Sequence, residues 1–331
     1  MNKLRWGILG TAKIAREWLI PAIHTSRHGE VIAVASRNLE RATRFAKECN
    51  VPAAFGSYEE LLADRGVDAI YNALPNHLHV PWSTKAIAAN KHVLCEKPIG
   101  LDSDEARLLM DAAAAAPDRV VMEAFMYRFH PQWLRVRELI ESGDLGEIRH
   151  VQSSFSYHNT DGENVRNMPG IGGGGLMDIG CYCISASRLV FGKEPGKVIG
   201  HLDWDPDFGT DRHASGILDF DSGMATFNCS TQSNQSQMVK VIGDRGTVLV
   251  INPFYSRAED PSRLIVYRGD QVDVIAIGNH NHYVNQVDAF SQAVLNQQPS
   301  PCPISDALAN MKVIDALFAS ARDDRWVNID S

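Results

Sequence analysis

The sequence predicts an α/β protein in two parts, a doubly wound parallel sheet followed by a second part richer in antiparallel strands. Three observations carry this reading. Short apolar strands alternate with helical stretches from residue 5 to residue 124, the pattern that builds parallel sheets. A glycine turn joins the first strand to the first helix at Gly10. Beyond Pro131, after one amphipathic helix, strand-like runs separated by turn residues take over. A length of 331 residues fits about two domains.

Residues 5 to 9 form the first strand, and Gly10-Thr11-Ala12-Lys13-Ile14-Ala15 follows as G-x-A-x-x-A. Gly10 suits the tight turn, and Ala15 is small enough for close helix–strand packing. The amides that open a helix from Ile14 to about Ile23 can hold a pyrophosphate. Gly10, Thr11, Ala12, Lys13 and Ile14 are therefore candidate dinucleotide contacts. Ala12 departs from the usual second glycine, and its methyl narrows the approach to phosphate. The second strand, Val31 to Ala35, ends on Ser36-Arg37-Asn38. An acid at this point would bond the ribose of NAD; a hydroxyl and a guanidinium suit a 2′-phosphate. NADP is favoured over NAD, with Ser36, Arg37 and Asn38 as the recognising residues.

Helices from Leu39 to Cys49 and from Tyr58 to Leu62 come next, then a strand from Asp68 to Leu74. In the following loop Leu74, Pro75, Asn76 and His79 are further cofactor candidates. Asn76 and His79 either line the cofactor or cap the helix from Pro81 to Ala89. The chain then presents His92-Val93-Leu94-Cys95-Glu96-Lys97-Pro98, a strand that stops on charge. Open α/β sheets bind ligands beyond the carboxyl ends of their strands, and Pro98 stiffens the turn that carries Lys97. Either Glu96 and Lys97 carry chemistry, or they form a solvated ion pair. A helix from Asp102 to Ala116 and a strand from Arg119 to Ala124 close the sheet.

The second part opens with a helix from Gln132 to Ile140. Strands are expected at Ile148–Tyr157, Val198–Trp204, Ala214–Phe220, Met224–Thr231, Met238–Ile242, Thr247–Ile251, Leu264–Tyr267 and Val272–Ile277. Helices at Tyr283–Asn296 and Ser305–Ala321 end the chain. Residues 172 to 175 are four consecutive glycines; ordering so much free backbone is costly, which points to a close approach or a movable segment. Asp178 and Tyr182 follow four residues apart on one helix face. Tyr182 is either a reactive phenol or a buried aromatic. Arg166, just before the glycines, contacts cofactor or substrate, or is an ordinary loop arginine. Phe155, Tyr157, His158 and Asp161 are candidates to face the substrate.

Net charge is −8 with no basic run, which disfavours nucleic acid and anionic membrane as partners. No stretch reaches the roughly 20 apolar residues of a membrane span, and no signal-peptide core opens the chain, so a cytoplasmic location is expected. The six cysteines (49, 95, 181, 183, 229 and 302) have no framework spacing. Cys181 and Cys183 lack a second pair at zinc-like distance, so no metal is expected.

Gly10 to Ala15, Pro75 to His79, Asn90 to Pro98 and Gly173 to Gly180 occur in an order and spacing that resembles the Gfo/Idh/MocA oxidoreductases, nearly end to end. The blocks Met122 to Pro131 and Asp178 to Tyr182 look most like the dimeric dihydrodiol dehydrogenases and NADP-dependent xylose dehydrogenases of that family. The resemblance implies an N-terminal Rossmann domain (1–124) and a substrate and oligomerisation domain (125–302) built on one large open sheet. It also implies a final segment (303–331) whose helix packs back on the first domain, and a homodimer or homotetramer formed through the sheet. The implied reaction moves a hydride between nicotinamide and a sugar, polyol or cyclic diol.

A free tyrosine, with a pKa of about 10, is a poor base at neutral pH, and a nearby ammonium lowers that value. Tyr182 is thus expected as acid/base, Lys97 as the group that polarises it, and Asp178 as a holder of a neighbouring substrate hydroxyl. Many family members carry histidine at this position, so the tyrosine points away from inositol dehydrogenases. Two other readings are a non-catalytic NADP-binding sensor and a glycosidase that uses tightly held NAD.

Overall fold

The chain divides into two compact units: Met1–Met126 with His282–Leu308, and Tyr127–Asn281 with Ala309–Ser331. A computed structural model describes residues 2–257 and 259–329.

In the first unit, β1 (Leu4–Leu9), β2 (Gly29–Ala35), β3 (Ala53–Phe55), β4 (Ala69–Asn72), β5 (His92–Cys95) and β6 (Val121–Glu123) form a sheet of order β3-β2-β1-β4-β5-β6. Every pair in it is parallel. Trp6, Ile8, Val34, Ile70, Tyr71 and Leu94 are wholly buried, as expected where helices cover both faces. The order reverses between β1 and β4, and ligands of such sheets bind where that reversal lies, beyond the strands' carboxyl ends. Gly10, Ser36 and Glu96 stand just past three of those ends. Asn38, Ser57 and Asp102 cap the helices that follow them, each accepting an amide from three residues on.

Two local features depart from expectation. The first helix opens as a π-turn, Ala15–Leu19, and continues as an α-helix over Ile20–Thr25. The strand β3 was not expected at all, since three half-buried residues are too few to show a period.

The unit boundaries also correct the expected division. The helix His282–Leu295 belongs to the first unit: Phe290 packs on Trp6 at 5.0 Å between ring centroids, and the Ser26 hydroxyl donates to Asp288. The last helix, Ile304–Asp323, belongs to the second unit from Ala309 onward. There Arg188 donates to Asn310 at 3.2 Å and the Gly200 amide to Ser320 at 3.0 Å. The helix thus starts, over Ile304–Leu308, in the first unit and continues in the second.

The second unit holds β7 (Ile148–His158), β8 (Lys197–Trp204), β9 (Asp211–Asp219), β10 (Met224–Ser230), β11 (Gln232–Gly243), β12 (Thr247–Ile251), β13 (Ser262–Arg268), β14 (Gln271–Gly278) and β15 (Val327–Asn328). Their order is β14-β13-β12-β11-β7-β10-β9-β8-β15, with β7 and β10 parallel and the other pairs antiparallel. One face buries Val151, Val239, Val241, Val248, Val250 and Leu264 completely. The opposite face leaves Met224, Tyr267, Val272 and Val274 exposed. Among the described residues no helix is long and apolar enough to cross a membrane.

Candidate active site

Gly10 has φ +87°, so the backbone there calls for glycine, and a Cβ would also lie 2.9 Å from Leu74 Cδ2 and push that side chain aside. Ala15 is fully buried, which is the small-residue packing expected of that position. Ala12 and Ile14 are half-buried and Lys13 is exposed. The Thr11 hydroxyl accepts a hydrogen bond from Arg41 Nε at 2.6 Å. That contact ties the glycine turn to the helix Leu39–Glu48 and brings in a cation the sequence reading missed. Its signal was available: Arg41 lies four residues beyond Arg37 at the start of the same helix.

Ser36 is nearly buried and Arg37 is exposed, with its charge close enough to act on the Tyr58 phenol. Burial pushes Tyr58 above its usual pKa, with the charges of Arg37 and Arg41 opposing. Asn38 does something more local than expected. Its Oδ1 accepts the Arg41 amide at 2.9 Å, so that oxygen caps a helix.

His79 requires correction. Its ring is fully buried, with Nδ1 2.7 Å from the Pro98 carbonyl oxygen and Nε2 2.7 Å from that of Leu74. The ring neither lines a cofactor nor caps the helix; it fastens the Leu74 loop to the turn after Lys97. Burial pulls its pKa down to about 4 against the two carbonyls, which favour the charged form. Asn76, half-buried, opens a 3₁₀ turn over Asn76–Leu78.

Glu96 is anchored from β4. The fully buried Tyr71 donates its hydroxyl to Glu96 Oε1 at 2.5 Å. Burial, then the Glu96 charge, holds the phenol well above its ordinary pKa, so Tyr71 stays a donor. Lys97 follows, half-buried, and its peptide bond to Pro98 is cis.

The second unit supplies the remaining predicted residues. A π-turn over Leu176–Gly180 runs directly into the helix Cys181–Phe191, and residues 174 to 188 are all buried. Asp178 Oδ2 accepts from the Tyr157 hydroxyl at 2.6 Å and from Arg166 Nε at 2.9 Å. Arg166 is thus a partner of Asp178, a pairing not anticipated. Burial and then the Asp178 charge raise the Tyr157 pKa far above its usual value.

Tyr182, 5% exposed, is gripped by the rings of Tyr127, Phe155 and Phe254 at 5.9, 5.6 and 5.5 Å. Phe155 and Tyr157 alternate along β7 and so share one of its faces. Asp178 and Tyr182 meet that same face, as their spacing implied. Tyr127 shares a hydrogen bond with Ser185 at 2.8 Å. Phe254 comes from a loop that sequence reading left unassigned, and long-range polar contacts hold it. Gln237 accepts the Phe254 and Tyr255 amides at 3.1 and 2.9 Å, and Trp133 Nε1 donates to the Pro253 carbonyl at 2.7 Å. His158 and Asp161 lie exposed beyond this cluster, and Asp161 accepts the Glu163 amide at 3.0 Å. Among the described residues no group of three or more potential metal ligands comes together.

Residues 4–125 match the oxidoreductase family with an NAD-binding Rossmann fold, and residues 133–249 match the GFO/IDH/MocA C-terminal domain. The chain belongs to the GFO/IDH/MocA family of oxidoreductases. It is 38% identical over 330 residues to D-xylose 1-dehydrogenase (NADP(+)) 2 of Haloferax volcanii, covering 99% of this chain and 100% of that one. It is 34% identical over 251 residues to trans-1,2-dihydrobenzene-1,2-diol dehydrogenase of Mus musculus, covering 73% of each. Among solved structures it resembles a 3-ketoreductase from Actinomadura kijaniata in complex with NADP and TDP-benzene, at TM-score 0.91 and 29% identity, covering 96% of this chain and 98% of that one. That ketoreductase has also been crystallised with a tyrosine replaced by phenylalanine and with a lysine replaced by alanine.

Proposed function

We propose that the chain is an NADP-dependent oxidoreductase that interconverts a hydroxyl and a carbonyl on a sugar, polyol or cyclic diol. Tyr182 is its general acid/base and Lys97 the cation that tunes it. The observation that carries this reading is the sorting of tyrosines in the second unit. Tyr157 donates to a carboxylate and has its pKa driven up, so it is no base at neutral pH. Tyr182 is held by three rings on the helix that also carries Asp178.

The residues fit the dinucleotide. Gly10, at φ +87°, makes the tight turn into a helix whose first residues carry no side-chain cap. No acid follows β2, and Arg37 stands exposed there, with Arg41 reaching the same turn. Gly10, Thr11, Ala12, Lys13 and Ile14 would hold the pyrophosphate, and Ser36, Arg37 and Arg41 the 2′-phosphate. Leu74, Pro75, Asn76 and Glu96 would line the nicotinamide end. When bound, NADP supplies the carbon that takes or gives the hydride. The NADP named with the xylose dehydrogenase and with the ketoreductase supports this choice.

In the oxidising direction Tyr182 takes the proton of the substrate hydroxyl, and it returns that proton in reduction. The Lys97 ammonium favours the phenolate and orients the substrate oxygen. Asp178, tied back by Tyr157 and Arg166, offers a fixed carboxylate to the adjacent hydroxyl. The exposed apolar face around Met224, Tyr267 and Val274 is the surface on which a second copy of the chain pairs.

An NADP+ absorbance screen over aldoses, polyols and diols, with NAD+ in parallel, tests the reading. Turnover with an NADP+ preference is expected. Tight NADP binding without turnover of any compound would replace this reading with a sensor.

A further inference from the structure

Asp211 is the first residue of β9, 1% exposed, and takes no part in the reaction as proposed. Its Oδ2 accepts the Leu176 amide at 2.7 Å. Leu176 opens the buried helix that carries Asp178 and Tyr182. The residue before it is glycine, so no local side chain caps that end. The first amides of a helix have no partner within the helix, and here no water reaches them. A carboxylate from a strand 35 positions away supplies the missing acceptor.

The glycine run is shaped to this carboxylate. A Cβ on Gly174, whose φ is +118°, would lie 2.0 Å from Asp211 Oδ1. One on Gly175 would lie 3.3 Å from Oδ2. Both have Asp211 as their nearest neighbour, whereas Gly173 meets the Met168 carbonyl. The Gly174 carbonyl in turn accepts the Asp178 amide at 3.0 Å, so the backbone that Asp211 grips is the backbone that sets Asp178. Burial pushes the Asp211 carboxyl up to about 7, while nearby backbone amides, that of Leu176 first, favour the charged form. Cys229 is the titratable neighbour it meets from β10.

We infer that Asp211 is a positioning residue for the reaction. By capping the helix at Leu176 it sets where Asp178 and Tyr182 stand, and it acts through them without touching substrate. This rests on the acid/base role proposed for Tyr182.

The test measures Asp211→Ala, Asp211→Asn and Gly174→Ala, with Asp211→Ala also placed in a Tyr182→Phe background. The probes are NADP+ and the first aldose turned over in the screen above. Asp211→Ala should lower kcat 30-fold or more, with KM changed less than threefold and NADP Kd unchanged. Asp211→Asn keeps one acceptor oxygen and should retain a third or more of kcat. In the Tyr182→Phe background, Asp211→Ala should add less than a threefold loss. A kcat for Asp211→Ala within threefold of wild type overturns the inference. So does an equal loss in both backgrounds, which marks a scaffold role only.

If Asp211→Ala does not fold, Gly174→Ala carries the test, since its methyl displaces the same carboxylate; an unchanged kcat overturns the inference. Amide hydrogen exchange over residues 176–182 gives a readout that needs no substrate. Asp211→Asn should keep the wild-type protection there, and Gly174→Ala should lose it tenfold or more while residues 4–125 are unaffected. Equal protection in wild type and Gly174→Ala would refute the cap. Failure of the Tyr182 assignment shows separately, as normal turnover in Tyr182→Phe alone.

Discussion

The Tyr157 hydroxyl donates to Asp178 Oδ2 at 2.6 Å, and this contact sets Tyr157 apart from Tyr182. A phenol beside a carboxylate is held protonated. Tyr157 is therefore a fastener of Asp178, and the proton-transfer role proposed above belongs to Tyr182, four residues after Asp178. Tyr182→Phe should lower turnover by roughly two to four orders of magnitude while NADPH binding stays nearly intact. Tyr157→Phe should act on substrate affinity instead, with kcat within about tenfold of wild type. Steady-state kinetics on the two variants separates these outcomes, and loss of turnover in Tyr157→Phe alone would reverse the assignment.

Lys97 is expected to set the working pH. An ammonium near the phenol lowers its pKa, so Lys97→Ala should move the limb of kcat/KM that reports the base toward alkaline pH by about one unit or more. A pH–rate profile whose midpoint does not move would take Lys97 out of that role and leave it a substrate-orienting group.

Arg37→Ala and Arg41→Ala should each weaken NADPH by roughly 10- to 100-fold, the loss of one charge-assisted phosphate contact. NADH affinity should change less than threefold in either variant. Fluorescence titration with both nucleotides checks this. Equal losses for NADPH and NADH would place the arginines on the shared part of the dinucleotide.

The stability of the fold should depend on pH through His79 and Asp211, in opposite directions. His79 has its pKa depressed to about 4, so the folded state prefers it neutral. Its contribution is intact above about 6.5 and is lost as pH falls toward 4, at most about 3 kcal/mol. Asp211 is pushed up to about 7, so the folded state prefers it protonated. Its contribution is intact below about 4 and is lost as pH rises through 7. Urea unfolding across pH 4 to 8 should show a shallower acid decline in His79→Gln and a shallower loss toward neutrality in Asp211→Asn.

What could be read from the sequence was whatever repeats locally. The alternation of the parallel sheet, the Gly10 turn, the strand that stops on Glu96 and Lys97, and the helix of Asp178 and Tyr182 all leave a period or a short motif. The contacts that define the site's neighbourhood leave neither. Arg41 on Thr11, Arg166 on Asp178, Asp211 on Leu176 and Phe254 on Tyr182 join residues 12 to 72 positions apart. His79 misled for a related reason. A histidine at a strand's carboxyl end looks like a ligand-facing group until the fold buries it between the Leu74 and Pro98 carbonyls. The helix His282–Leu295 was assigned to the wrong unit because amphipathicity tells that a face is buried and not against what.

Strand β7 carries Phe155 and Tyr157 on one face and Ser154 and Ser156 on the other. Its pairing with β10 and β11 decides which pair turns toward the helix. A single-residue insertion or deletion upstream in that strand would exchange them, setting two serines where a ring and a phenol now hold Tyr182 and Asp178. The parity of the strand between Ile148 and Tyr157 therefore matters as much as the identity of the two rings it presents.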